Sequence, residues 1–207
     1  MAMLTPAIPA ILPLCPFDVL RGRSRLEKPS SVLTRSLALI HVRALSPAAT
    51  DAMLTAGNIK VPCKLGRSGL TFLKHEGDGA TPRGTWPMRL VLARRESWEW
   101  LRTGLPFRFM APDDGWCDAV ADRNYNRAVK LPYPASHEEL WRKDHLYDVV
   151  VILGHNERPR VAGLGSAVFF HLADPRGGPT AGCVAVSAND MRKVLALCSP
   201  RTRIRIC

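Results

Sequence analysis

A mainly β (α+β) domain over residues 37–207 follows from three features of the sequence. Apolar residues fall in several short runs of strand length, some alternating and some continuous. Only two segments carry helix signals. The runs are separated by clusters drawn from 15 glycines and 17 prolines, which mark turns. Short strands that outnumber helices place the chain in the β-rich classes.

Residues 1–36 read as a separate segment. "MAMLTPAIPAILPLCP" is apolar like an export signal, but it lacks a positive leading region and carries Pro6, Pro9 and Pro13 inside its apolar run. It is a weak export signal at best, and Arg21 to Arg35 reads as a basic linker. The domain then opens with "LALIHVRAL", which puts Ala38, Ile40, Val42 and Ala44 on one strand face. "GNIKVPCKLG" predicts the next strand, ended by Gly66 and Gly69. "DGATPRGTWPM" is a loop entering a short strand, and "PFRFMAPDDGWCD" mixes alternation with loop.

In "ASHEELWRK", Ser136 and Glu139 stand at capping-box spacing and predict a helix. "YDVVVIL" is continuously apolar and bounded by Gly154, as a buried central strand should be. "SAVFFHL" predicts a strand ending at His171, and "CVAV" another starting at Cys183. In "SANDMRKVLALC", Ser187 and Asp190 repeat the cap spacing. Met191, Val194, Leu195 and Cys198 recur at i, i+3, i+4 and i+7, so Cys198 belongs to the core. "TRIRI" closes the domain as an alternating strand.

Bulk composition bounds the function. With 207 residues, 46% of them apolar, the chain can bury a sizeable core. The net charge of +11 favours polyanionic partners or surfaces, such as nucleic acid, anionic lipid or an acidic cell-wall polymer. Basic residues do not interleave with aromatics as RNA-binding surfaces require, which argues against nucleic acid. No apolar run reaches the length of a membrane helix. The six cysteines (15, 63, 117, 183, 198 and 207) include no C-x-x-C, so zinc fingers and ribbons are excluded. H-E-x-x-H, Walker A and G-x-G-x-x-G are absent too, and no cofactor or metal is expected.

The chemistry concentrates in "FFHLADPRGGPTAGCVAV". His171 ends one strand and Cys183 begins the next, twelve positions on, with a Gly/Pro loop between. If those strands are neighbours, an imidazole and a thiol share one sheet edge, which is the requirement for general-base activation of sulfur. Gly182 lets the backbone approach a substrate, and amides there suit a developing oxyanion. Thr180 can steady the loop. On residue types alone Cys183 remains open between core thiol, disulfide partner, metal ligand and nucleophile. A three-ligand metal site from His155, His171 and Cys183 is permitted by spacing but has no carboxylate to support it.

"FHLADPRGGPTAGCVAVSANDM" resembles the signature of the YkuD-type L,D-transpeptidases: a His-bearing strand end, a variable loop, then Ser/Thr-His-Gly-Cys leading into a strand and helix. Here the segment reads Thr180-Ala181-Gly182-Cys183. Upstream, Thr81, Pro82 and Gly84 match the family's Thr-Pro-x-Gly turn, and "GRSG" and the lysine of "LKHEGDG" are similar too. Ala181 stands where the family usually has histidine, and Ala185 where it often has asparagine. Members lacking those residues form a short branch with "WCD", "YN" and "DHLYD" segments, here Trp116-Cys117-Asp118, Tyr125-Asn126 and Asp144 to Asp148.

The resemblance implies a barrel-like or sandwich-like sheet with a few short helices. It implies that Cys183 attacks the bond between a diamino acid and D-alanine in a peptidoglycan stem peptide, with His171 as base and the Leu172 carbonyl orienting it. The resulting thioacyl-enzyme passes to an amine. Water in place of the amine would make the protein an L,D-carboxypeptidase or amidase, and a non-catalytic basic cell-wall-binding module is the alternative of another class. Asp174 is a second candidate to orient the histidine. His155, Asn156, Thr180, Arg83 and Trp116 are candidates for substrate contact, His155 also as the rival base at its own strand end, Arg83 through a carboxylate and Trp116 beside Tyr125 as pocket wall. Cys117 is either a second thiol near the site, a disulfide partner of Cys63, or a semi-buried free cysteine. The implied place of action is the periplasm or cell envelope, with transient association to the membrane or outer envelope left open.

Overall fold

The computed structural model describes residues 36–207, so the export-signal and linker expectations lie outside the described residues. In chain order the elements are β1 (Leu39–Ala44), β2 (Asp51–Ala56), β3 (Ile59–Lys64), β4 (Leu70–Thr71), β5 (Thr81–Pro82) and β6 (Gly84–Ala93). A short 3-10 turn, Arg95–Glu99, leads to β7 (Phe107–Phe109), β8 (Asp114–Cys117), β9 (Arg127–Lys130) and β10 (His137–Glu139). There follow β11 (Val149–Leu153), β12 (Phe169–Leu172), β13 (Val184–Val186), α1 (Ala188–Leu195) and β14 (Arg203–Ile206).

The main sheet runs β11-β12-β13-β3-β2-β1-β14-β6-β7, and β6 also pairs with β11. That extra pairing closes a ring, leaving only β7 as a branch on β6. Closure removes the sheet edges that would otherwise be left unpaired. The joints differ in strength: β2 and β3 pair over six positions, whereas β13 and β3 meet only at Ala185 and Lys64. A second sheet, β10-β8-β9, covers one side of the ring.

Two cores result. The ring interior holds Ile40, Val42, Leu54, Leu65, Val151, Phe170, Val184, Met191 and Ile204. The layer between the ring and the small sheet holds Leu92, Met110, Leu140, Tyr147, Val150, Ile152, Phe169 and Cys183. β11 serves both: Val149, Val151 and Leu153 face inward, Val150 and Ile152 outward. A strand sealed on both faces has no polar positions to alternate, which is why "YDVVVIL" is continuously apolar.

Most sequence expectations for the elements hold. β1 buries Ile40 and Val42 as its alternation requires. Ser187 caps α1, its hydroxyl accepting from the Asp190 N–H at 3.2 Å. The helix stops at Leu195, short of Cys198, yet Cys198 is still buried and donates from Sγ to the Val194 carbonyl at 3.3 Å. β6 is ten residues long rather than short, since it must pair with β14 on one side and β11 on the other. "DAMLTA", unassigned in the sequence, is β2, with Ala52, Leu54 and Ala56 buried.

The helix expected over "ASHEELWRK" is a strand and turn instead. His137–Glu139 pairs antiparallel with Gly115–Cys117. The Ser136 carbonyl accepts the Asp118 N–H at 3.3 Å. Local cap chemistry is weak, about 1 kcal/mol, and sheet pairing with burial outweighs it.

Candidate active site

The two layers leave a cleft of about 410 Å³ that has both Cys183 and His171 in its lining. β12 and β13 run parallel, with His171 opposite Ala185. The two side chains therefore come from neighbouring strands, as the loop length between them suggested.

Cys183 lies one residue before β13 and is 7% exposed. Its Sγ accepts the Phe169 N–H at 3.3 Å and donates to the Ala167 carbonyl at 3.3 Å. Its own carbonyl accepts from Thr180 Oγ1 at 2.7 Å and from Thr81 Oγ1 at 3.4 Å. Thr81 is fully buried and also accepts the Gly66 N–H at 2.7 Å. The Thr-Pro-x-Gly turn is thus a strut beneath the cysteine, a role that its sequence pattern marked without revealing.

Gly182 has φ +138°, a region open almost only to glycine, and a Cβ there would come within 2.9 Å of the Ala80 carbonyl. Its N–H, expected to face an oxyanion, is committed to Thr180 Oγ1 at 3.1 Å.

His171 Nδ1 sits 2.9 Å from the Leu172 carbonyl. That partner can only accept, so Nδ1 carries the proton and Nε2 the lone pair. Tyr147 meets the ring edge-on, with centroids 5.0 Å apart. Asp174 is held by Arg176 in its own turn and plays no part in orienting the ring. Burial pushes the His171 imidazole down to about 4 and the Cys183 thiol up to about 12. Both groups are neutral at pH 7: an unprotonated imidazole, and a thiol still holding its proton.

One consequence is measurable. Iodoacetamide at pH 7 should modify Cys183 more slowly than the partly exposed Cys207, since thiolate and access control the rate. Peptide mapping by mass spectrometry reads the order, and preferential Cys183 labelling would contradict a proton-bearing resting thiol.

Other expected contacts are relocated. His155 is absent from the cleft lining: it is buried edge-on to Trp86 and approaches the Leu164 carbonyl through Nε2 at 3.0 Å. Asn156, with φ +46°, spends its amide on Val161 and Gly165, stapling its own loop. Arg83 stacks on the exposed Phe72 ring at 4.5 Å, outside the cleft. Trp116 packs edge-on against Phe169 behind the cysteine and donates from Nε1 to Asn126 Oδ1 at 2.9 Å. That same Asn126 oxygen accepts the Ala167 N–H at 3.2 Å, so the "YN" segment fixes the carbonyl on which Sγ rests. Tyr125 is buried and donates to Glu76 at 2.6 Å. Cys63 and Cys117 are buried free thiols, not a disulfide.

The lining also contains charges to which the sequence assigned no role. Lys74 is 7% exposed, paired with Asp78, and lies beside Gly182. Arg67 stands exposed at the rim. Glu76, Asp118, Glu138 and Arg142 complete the charged lining. Lys74, Arg67 and Asp118 lie in the "LKHEGDG", "GRSG" and "WCD" segments that the sequence marked without giving these side chains a role, and Glu138 was hidden inside the expected helix.

The model of the YkuD family, described as the L,D-transpeptidase catalytic domain, matches residues 52–206. The chain belongs to the YkuD family. No curated protein and no solved structure matches it. YkuD domains act on peptidoglycan, and the closed, mostly β ring is the fold the resemblance implied. Among the described residues no helix is long and apolar enough to cross a membrane. None of the described His, Cys, Asp and Glu side chains gather in threes as metal ligands, which leaves the His155–His171–Cys183 metal site without support.

Proposed function

We propose that this YkuD domain is a cysteine acyltransferase of the cell envelope, acting on the diamino acid–D-alanine bond of peptidoglycan stem peptides. The observation that carries this reading is the pairing, in one cleft, of a proton-bearing Cys183 with a His171 whose Nδ1 is tied to the Leu172 carbonyl. That tie leaves Nε2 as the acceptor for the thiol proton.

The steps follow from this arrangement. As a substrate carbonyl enters, His171 Nε2 takes the Sγ proton and sulfur attacks carbon. The Gly182 amide is occupied, so the oxyanion falls to the Cys183 amide. The hydroxyls of Thr180 and Thr81 on the Cys183 carbonyl hold that peptide unit in place. Imidazolium returns the proton to the departing D-alanine amine, leaving a thioester. An amine then takes the acyl group, or water hydrolyses it. Arg67 replaces Arg83 as the side chain placed to meet a stem-peptide carboxylate at the rim.

Purified tetrapeptide muropeptides, analysed by mass spectrometry, test the reading. Dimers with loss of D-alanine report transfer; tripeptide alone reports hydrolysis. Cys183→Ala should abolish both. Retained activity in that variant, or no product with wild type, overturns the proposal.

A further inference from the structure

The outer face of β14, β1 and β2 carries a charge that the cleft does not explain. Alternation turns Ile40, Val42, Ile204 and Ile206 into the ring and leaves His41, Arg43, Arg203 and Arg205 exposed outside it. Register sets Arg205, His41, Thr55 and Lys60 in one row across β14, β1, β2 and β3. Arg203 and Arg43 stand in the flanking rows. Among the described residues no carboxylate pairs with Arg43, Lys60, Arg203 or Arg205. The two arginines of β14 bond Thr85, Arg205 donating from Nε to Oγ1 at 3.2 Å and Arg203 from Nη2 to the carbonyl at 3.5 Å. The acids at the margins, Asp51 and Glu157, are bonded to Lys64 and Arg89.

Two ordinary reasons for such charge fail here. Cations on an edge strand keep it from pairing with other chains, but β14, β1 and β2 each have partners on both sides. A surface that serves solubility mixes both signs, whereas like charges facing each other across strands repel. An apolar side chain shares the face. The Leu45 N–H donates to the Asp51 carbonyl at 3.4 Å, which carries the β1–β2 ladder one residue further. Leu45 therefore follows His41 and Arg43 on the outer side, and it is 77% exposed. Met53 and Pro62 stand in the row of Arg43. Cations that meet phosphates, with apolar side chains among them that enter the acyl boundary, suit an anionic bilayer surface. A soluble polyanion would gain nothing from Leu45.

We propose that the β14–β1–β2 face docks the domain on a bilayer of anionic phospholipids. Arg43, Lys60, Arg203 and Arg205 meet the headgroup phosphates, and Leu45 dips below them. β1 lies four strands from β12 in either direction round the ring, through β2, β3 and β13 or through β14, β6 and β11. His171 lines the cleft from β12, on that far side. Docking thus holds the cleft away from the bilayer. The inference goes beyond the acyltransferase reading and does not depend on it, so Cys183→Ala should bind vesicles as wild type does.

Co-sedimentation of the full chain with phosphatidylcholine vesicles containing about 30% phosphatidylglycerol, in about 0.1 M salt, gives a partition coefficient. Neutralising one cation at an anionic surface lowers such a coefficient about fivefold. The variant carrying Arg43→Gln, Lys60→Gln, Arg203→Gln and Arg205→Gln should therefore lose about a hundredfold or more. Removing four exposed cations elsewhere, by Arg123→Gln, Arg127→Gln, Lys143→Gln and Arg158→Gln, should cost less than about tenfold. Leu45→Ser should weaken vesicle binding by about threefold or more and leave binding of soluble polyphosphate unchanged. Circular dichroism checks folding. If the first fourfold variant unfolds, Arg43→Gln with Lys60→Gln carries the test, with a loss of about tenfold or more. An equal loss from both fourfold variants overturns the face, since net charge alone would explain it. Loss from the face variant with no effect of Leu45→Ser assigns the face to a soluble polyanion and overturns the bilayer. A wild type that does not sediment with the vesicles overturns the proposal outright.

Discussion

His171→Gln is expected to lower kcat/KM for thioester formation by about 10²–10⁴, the usual contribution of a positioned general base. Glutamine keeps a polar side chain near the Leu172 carbonyl but offers no lone pair basic enough for the thiol proton. The pH dependence separates this from simple misfolding. His171 must be neutral to act, and burial holds its imidazole down at about 4. Activity should therefore persist as pH falls, and be lost only near that value. An ordinary imidazole would give the limb near 6.5. The variant should show no such limb. Stability moves in the same direction: an unfolded histidine binds its proton near 6.5, the folded one resists until about 4, so the fold loses stability as pH drops across that window. A variant within tenfold of wild type, or a wild-type limb at the ordinary position, would remove His171 from the mechanism.

Phe170→Ala should destabilise the domain by about 3–5 kcal/mol, the range for emptying an aromatic site in a closed core. Phe170 is fully buried in the ring interior. Its register partners are Val151 on β11 and Val184 on β13, so it sits between the most apolar strand and the strand after the nucleophile. Neither neighbour can collapse into the void without shifting a ladder. Urea unfolding followed by circular dichroism reads the change as a lower midpoint with an unchanged slope. A loss below about 1 kcal/mol would mean that the ring repacks easily, contrary to the closed architecture.

Strand signals were readable where burial is simple. Alternation placed β1 and β14, and a continuous apolar run placed β11. The segment over residues 135–143 misled because its cap spacing is local, while the strand it forms depends on a partner about twenty residues upstream. β2 escaped notice because alanines at two of its three inward positions give little contrast with the polar positions between them. In the site, His171 and Cys183 were legible because their strand ends and the glycine beside the thiol are written in one stretch. His155, Asn156, Arg83 and Trp116 were polar or aromatic residues near promising turns, and each finds its partner in the protein itself. Sequence does not say which way a loop side chain turns. Glu76, Asp118 and Glu138 reach the cleft from three distant segments, and no single local pattern brings them together.

The ring has a temporal consequence. β1 pairs in parallel with β14, and Thr202 Oγ1 bonds the Leu37 carbonyl across 165 residues. During synthesis β1 waits, with one side unpaired, until β14 has left the ribosome. Val149–Leu153, whose two faces are both destined for burial, emerges well before that and carries no charge to keep it apart from other chains. Such a long-range closure is slow, because loop entropy must be spent before any contact repays it. The interval before closure is when this protein is most prone to aggregate, and slower synthesis or lower temperature should raise the yield of folded chain more than added ligand does.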